Sequence, residues 1–241
     1  MSTTNHQIVL ASRPQGEVKP DNFRLVEAAL SPLTDGQVRV RNHFLSLDPY
    51  MRGRMNDSKS YAASQALDEV MIGGTVGEVA ASKHPRFDVG DAVVCMGGWQ
   101  EYSLIDASQR GAITKVDTRQ IPLSAYLGAV GMPGVTAWYG LVKIIAPKAG
   151  ETVVVSAASG AVGSVVGQLA KARGCRVVGI AGGPDKCRYV TEELGFDACL
   201  DHKALGDLRS FSAALRDAAP QGIDGCFENV GGVGLDAVML R

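Results

Sequence analysis

Hydrophobic and polar positions follow two different patterns along the chain, one before about residue 116 and another after about residue 127. In the first part, short β-rich runs alternate with turn residues such as Pro32, Asp35-Gly36 and Gly90-Asp91. Six of these runs predict strands, over residues 23–27, 37–42, 74–79, 91–95, 100–104 and 112–116. Their irregular spacing indicates an antiparallel barrel or sandwich.

After about residue 127, segments with helical and strand patterns alternate. Residues 152–155 form a continuous apolar run, typical of a strand buried on both faces of a parallel sheet. A helix is predicted over residues 161–173, ended by Gly174 in a left-handed conformation. Further strands are predicted over residues 176–180, 198–200 and 223–227, and further helices over 135–145, from Pro184 to about Gly195, and over 208–219. This alternation predicts a doubly wound parallel α/β sheet.

The change of pattern predicts two domains, residues 1–127 and residues 128–241. The predicted fold class is therefore α/β, with a β-rich first part followed by a Rossmann-type sheet. A complete dinucleotide-binding sheet has about six strands in two halves, but only four are predicted before Arg241. We therefore expect the second domain to be truncated at its C-terminus.

Composition narrows the possible partners and the compartment. The formal net charge of -1 and the scattered charges favour neither nucleic acid nor an anionic membrane as a partner. No segment resembles a signal peptide or a membrane span, so we expect a cytoplasmic protein. The five cysteines lack CxxC spacing and the four histidines form no cluster. Reduced thiols, and no metal site, are expected.

The strongest local motif is the glycine-containing loop between the apolar run 152–155 and the following helix. Ala158 takes the first glycine position of G-x-G-x-x-G, and Gly160 and Gly163 take the other two. With Ala161 and Val162 at the start of the helix, this loop predicts a site for the pyrophosphate of a dinucleotide. The alternative is a glycine turn that serves only close packing.

The end of the next strand indicates which dinucleotide is bound. An NAD-preferring site has an Asp or Glu there for the ribose 2′-hydroxyl, whereas this chain has none. Gly182 and Gly183 leave room, and Lys186 is within reach of a 2′-phosphate. The alternative for Lys186 is an ordinary exposed helix lysine. NADPH is therefore the predicted cofactor. Asn229, after the fourth strand, could bond the nicotinamide ribose or simply form a turn.

Five segments carry a resemblance to a known family across the whole chain. They are LDPYMRGRM at 47–55, FDVGD at 87–91, GMPGVTA at 131–137, AASGAVG at 157–163 and ENVGG at 228–232. The chain resembles the zinc-independent prostaglandin reductase, leukotriene B4 dehydrogenase and curcumin reductase group of the medium-chain dehydrogenase/reductase superfamily. At the place that matches the metal site of zinc alcohol dehydrogenases, residues 71–75 read MIGGT, without a His-Glu pair.

The resemblance implies a GroES-like barrel followed by the NADP-binding domain. It also implies that Tyr50 lies by the substrate and that Met132 and Thr136 lie near the nicotinamide. His202 stands where many relatives have a tyrosine near the 2′-phosphate, and it could bond that phosphate itself. A homodimer is implied for the full-length form, but not for a truncated chain.

The implied reaction is reduction of the carbon–carbon double bond of an α,β-unsaturated ketone or aldehyde, by hydride transfer to the β-carbon without a metal. Tyr50 would donate a hydrogen bond to the substrate or merely line the pocket. The alternatives are an NADPH:quinone oxidoreductase and a catalytically inactive fragment or binding protein.

Overall fold

The computed structural model describes residues 4–60 and 62–241, which divide into two units, Met1–Leu127 and Gly128–Arg241. In the first unit, seven strands are described: β1 (Thr4–Leu10), β2 (Phe23–Ala29), β3 (Gln37–Leu45), β4 (Thr75–Ser82), β5 (Ala92–Cys95), β6 (Tyr102–Asp106) and β7 (Ile113–Lys115). The same unit contains the short helix α1 (Tyr50–Arg54) and 3₁₀ turns at Pro20–Asn22 and Leu123–Leu127.

All pairings in the first unit are antiparallel. Strands β1 and β2 form a hairpin-like pair, and the other five form a sheet of order β6-β3-β4-β5-β7. Each of the six predicted strands is present, with ends displaced by up to three residues. Strand β1 and helix α1 were not predicted, because a strand of four polar and then three apolar residues and a helix of five residues carry little periodic signal.

The sheet bends where β3 pairs with β4. Its register shifts between Arg39 and Val40 and again between Asn42 and Phe44. Gly77 faces this bulge, and a Cβ there would lie 2.0 Å from the carbonyl oxygen of Arg41. The close approach of the two backbones therefore requires glycine at this position.

The second unit is built on one parallel sheet. Its strands are β8 (Thr152–Val155), β9 (Arg176–Ala181), β10 (Ala198–Asp201) and β11 (Gly225–Phe227), in the order β10-β9-β8-β11. Its helices are α2 (Met132–Tyr139), α3 (Gly163–Ala172), α4 (Pro184–Arg188), α5 (Leu208–Ala218) and α6 (Val233–Met239). Helices α2 and α4 continue as π-helical turns over Gly140–Ile145 and Tyr189–Glu193.

The predicted doubly wound sheet is confirmed. All four residues of β8 are buried, as expected for a strand covered on both faces. Gly174, just after α3, has φ +78°, and Gly195, just after the second π-helical turn, has φ +74°. Both positions favour glycine because a side chain there would be strained.

No helix in the described residues has both the length and the apolar character needed to cross a membrane.

Candidate functional site

The loops that follow the four parallel strands line one cavity of about 490 Å³. Successive strands extend the sheet in one direction from β8 through β9 to β10, whereas β11 lies on the other side of β8. The strand order therefore reverses between β8 and β11. Ligands of open α/β sheets bind at such a point, outside the carboxyl ends of the strands.

The loop after β8 brings the backbone close to the cavity. Gly160 lines the cavity, and a Cβ on Gly163 would lie 2.4 Å from the carbonyl oxygen of Ala157. Ala157 itself has φ +47°, an uncommon conformation for a residue with a side chain. The loop is thus tightly turned, and a side chain at Gly163 would disrupt it.

The start of α3 has no side-chain cap at Val162, and the N–H groups of Ser164 and Val165 donate to the carbonyl oxygens of Gly160 and Val162 at 3.0 and 3.1 Å. Anions are stabilised at helix N-termini by the positive end of the helix dipole. Ala161 is exposed and directly precedes Val162. Ala158 is fully buried, and its N–H donates to the carbonyl oxygen of Ile180 at 3.0 Å. It fixes the loop to β9 and is not among the residues that line the cavity.

Three basic side chains line the cavity: Lys186 on α4, and His202 and Lys203 after β10. His202 and Lys203 lie beside Gly182. A Cβ at Gly182 would be 2.7 Å from Nε2 of His202 and 3.2 Å from Cε of Lys203. Glycine at this position therefore lets both side chains reach the cavity. Arg188 forms an ion pair with Asp185.

The carboxylate of Asp201 forms hydrogen bonds to both loops that carry these basic side chains. Oδ1 of Asp201 accepts hydrogen bonds from the backbone N–H of Gly183 at 2.7 Å and of Lys203 at 3.0 Å. These two bonds lower the pKa of the Asp201 carboxyl below its ordinary value, and the bond from Gly183 has the larger effect. The group is therefore ionised at neutral pH, and it accepts at full strength.

A second carboxylate organises the end near β11. Oε1 of Glu228 accepts from the hydroxyl of Ser156 at 2.6 Å and from the N–H groups of Val230 and Gly231 at 2.6 and 2.8 Å. Burial alone would raise the pKa of the Glu228 carboxyl. The hydrogen bonds from Ser156 and the backbone outweigh burial, so the pKa is lowered.

Asn229 completes this network without lining the cavity. Its N–H donates to Oγ of Ser156 at 2.7 Å, and its side-chain amide donates to the carbonyl oxygen of Ser156 at 2.9 Å. Asn229 therefore ties the end of β11 to the end of β8. Within this network, the side-chain amide serves a protein acceptor.

The remaining predicted site residues lie elsewhere in their units. Met132, which is 55% exposed, and Thr136 lie one turn apart on α2, where the hydroxyl of Thr136 donates to the carbonyl oxygen of Met132 at 2.8 Å. Neither lines the cavity. Tyr50 begins α1 in the first unit and packs, half-buried, against a core cluster that includes Met51 and Met71.

The cavity residues that were not predicted include three with polar side chains that matter for the site: Ser156, Lys203 and Glu228. The sequence offers a signal for two of them, since Lys203 and Glu228 are direct neighbours of the predicted site residues His202 and Asn229. In residues 4–60 and 62–241, no three or more His, Cys, Asp or Glu side chains are grouped so that they could hold a metal ion.

Comparison with known proteins identifies the family. A model described as the N-terminal domain of oxidoreductase matches residues 6–113, and one described as zinc-binding dehydrogenase matches residues 161–239. The Escherichia coli K12 NADPH-dependent curcumin reductase is 50% identical over 98% of this chain and 66% of that protein. The tobacco (Nicotiana tabacum) NADP(+)-dependent 2-alkenal reductase is 43% identical over 99% of this chain and 69% of that protein.

The chain belongs to the medium-chain dehydrogenase/reductase superfamily, in the group of these reductases. The crystal structure of CurA from Vibrio vulnificus in complex with NADPH is similar at a TM-score of 0.89 and 49% identity, over 98% of this chain and 68% of that one. These similarities confirm the resemblance and the predicted fold class. The chain spans about two thirds of the length of these relatives, 66–69%.

Proposed function

We propose that the cavity of the second unit binds NADPH, and that the protein is an oxidoreductase which reduces the carbon–carbon double bond of α,β-unsaturated ketones or aldehydes. The observation that carries the proposal is that Lys186, His202 and Lys203 all line one cavity whose wall includes the glycine loop after β8. A dinucleotide with a 2′-phosphate fits both features.

The residues present fit the proposed cofactor in chemistry and in shape. Gly160, with Ala161 and Val162 before α3, would hold the pyrophosphate. Lys186, His202 and Lys203 supply N–H donors suited to a phosphate, and Gly182 leaves space beside them because it has no Cβ. NADPH, when bound, supplies the hydride that adds to the β-carbon of the unsaturated substrate.

The chain's own side chains would stabilise the negative charge that develops on the substrate, and none of them would form a covalent bond to it. Hydride addition to an enone places negative charge on the carbonyl oxygen, so the protein has to supply a hydrogen-bond donor there. We propose the Tyr50 hydroxyl as this donor, and Met132 and Thr136 as residues near the nicotinamide. Asn229 and Glu228 would keep the loop after β11 in place through Ser156.

The names of the relatives support the reaction class. A curcumin reductase, a 2-alkenal reductase and the mouse prostaglandin reductase 1, which is 44% identical, are all reductases.

The first test is the cofactor preference of the unaltered chain and of Lys186→Gln. We expect the unaltered chain to bind NADPH more tightly than NADH in a fluorescence titration. Lys186→Gln should weaken NADPH binding by about ten- to a hundredfold, because it removes a charged hydrogen bond of about 1.5–3 kcal/mol, and should leave NADH binding nearly unchanged. Lys148→Gln is the matched control, since Lys148 is exposed and lies outside the cavity.

Turnover is then measured by the loss of NADPH absorbance with a simple enone, and in parallel with a quinone. Oxidation that depends on the enone supports the proposed reaction, whereas oxidation with the quinone alone would favour the alternative reductase. Equal affinity for NADPH and NADH in the unaltered chain would contradict the proposal that Lys186, His202 and Lys203 bind the 2′-phosphate.

A further inference from the structure

Asp201 connects the two loops that carry Lys186, His202 and Lys203. Gly183, whose N–H donates to Oδ1 of Asp201, is the N-cap residue of α4, and Lys186 lies three residues further on. Lys203, whose N–H donates to the same oxygen, follows His202 in the turn after β10. One carboxylate oxygen therefore holds the backbone of both loops, at Gly183 and at Lys203.

The turn after β10 is held by three backbone donors around Asp201. The N–H of Ala204 donates to the carbonyl oxygen of Asp201 at 3.1 Å, and the N–H of His202 donates to the carbonyl oxygen of Ala181 at 3.0 Å. The bond from Lys203 to the Asp201 side chain closes the turn. The directions of the His202 and Lys203 side chains thus depend on the Asp201 carboxylate.

Asp201 is not one of the residues that line the cavity. Its position opposite Ala181 in the register of β10 and β9 puts it at the strand end. A carboxylate that contacted the cofactor there would act in the opposite sense, because it would repel a 2′-phosphate and favour the 2′-hydroxyl of NADH. The two roles therefore make opposite predictions about selectivity.

We propose that Asp201 is a positioning residue that sets the preference for NADPH over NADH, by holding the Gly183 and Lys203 backbones so that Lys186, His202 and Lys203 converge on one phosphate. The inference rests on the proposed NADPH site. It assigns selectivity to the hydrogen-bond geometry of Asp201 and not to its charge.

Two substitutions separate geometry from charge. Asp201→Asn removes the charge but keeps a carbonyl oxygen that accepts both N–H groups. Asp201→Glu keeps the charge but moves the carboxylate by one methylene, so it cannot accept both bonds in the same geometry. If geometry matters, the Asn variant behaves like the unaltered chain and the Glu variant does not.

The experiment measures the dissociation constants of NADPH and NADH for the 241-residue chain and the variants Asp201→Asn, Asp201→Glu and Asp201→Ala. We expect Glu and Ala to weaken NADPH binding by about tenfold, while NADH changes by less than about threefold. Asp201→Asn should keep the NADPH-to-NADH ratio within about threefold of the original. Circular dichroism and thermal melting check the fold, and the Asn and Glu variants decide the question if Ala does not fold.

Two outcomes would overturn the inference while leaving the proposed function intact. A higher preference for NADPH in both Asn and Ala would mean that Asp201 acts by repulsion. Equal weakening of NADPH and NADH would mean a general structural role. If the unaltered chain shows no preference for NADPH, the proposed cofactor site and this inference fail together.

Discussion

At the scale of single residues, Glu228 accepts three hydrogen bonds through one carboxylate oxygen. Its Oε1 accepts from Ser156, Val230 and Gly231, and the hydroxyl of Ser156 in turn accepts from the N–H of Asn229. The loop after β11, with Gly231 and Gly232 at φ +84° and +71°, has no side-chain packing of its own at these glycines. Its conformation therefore depends on this carboxylate.

Glu228→Ala is expected to weaken NADPH and NADH binding by the same factor, about tenfold. The substitution removes the hydrogen bonds that hold the loop after β11, and it leaves Lys186, His202 and Lys203 unchanged. Glu228→Gln is the control, since its carbonyl oxygen still accepts the three hydrogen bonds. Fluorescence titration with both dinucleotides measures the effect. A loss confined to NADPH would contradict this assignment.

The lowered pKa of Glu228 also fixes the direction of its pH dependence. Because the folded-state pKa is below the ordinary value of 4.5, the carboxylate stabilises the fold above that pH, and this contribution is lost as the pH falls through the folded value. The stability difference between the unaltered chain and Glu228→Gln should therefore be constant near neutral pH. It should shrink only under acid conditions.

At the scale of elements, the contact of α3 with the chain before β10 depends on a missing side chain. Gly167 lies in the middle of α3, and a Cβ there would be 1.8 Å from the ring of Phe196, which is buried. A buried ring held by the core has little room to move. The helix can lie this close only because residue 167 is glycine.

Gly167→Ala is expected to destabilise the protein by up to about 2 kcal/mol, since overpacking costs about 1–3 kcal/mol and the gain in helix propensity offsets about 1 kcal/mol of it. Gly53→Ala on α1 is the matched control, because nothing lies within 4 Å of a Cβ there. The control should be neutral or slightly stabilising. Denaturant unfolding measures both, and a stabilised Gly167→Ala would show that Phe196 yields.

At the scale of the whole molecule, the cofactor should stabilise the second unit through its loops. The cavity is lined by segments that follow four different strands, so a bound ligand would add contacts to each of these segments. At a concentration one hundred times its dissociation constant, a ligand that binds only the folded state stabilises it by about 2.7 kcal/mol.

We therefore expect hydrogen exchange with NADPH present to show new protection in four segments, residues 156–160, 182–186, 202–206 and 228–234. The same segments in Lys186→Gln should be less protected at equal NADPH concentration, with Lys148→Gln as the control. New protection confined to the first unit, or spread evenly along the chain, would contradict the assignment of the cavity.

The sequence by itself determined the four strands of the second unit and four of its five helices, α2 to α5. The buried run of β8 appears at residues 152–155 as predicted, and Gly174 and Gly195 have the left-handed conformation expected at helix ends. These features are local: apolar runs, turn residues and glycine positions act over a few neighbours, so they can be read without the fold. The roles proposed for the predicted cofactor residues stay predictions until the titrations are made.

Only the tertiary structure decided which side chains meet. Lys186 and Lys203 lie on different segments, and they line one cavity because β9 and β10 are adjacent and in parallel register. The contact of Glu228 with Ser156 spans 72 residues and depends on the pairing of β11 with β8. Likewise, Asp201 reaches Gly183 only because Asp201 lies opposite Ala181. Hydrogen bonds between distant loops follow from sheet order and register, which no local pattern encodes.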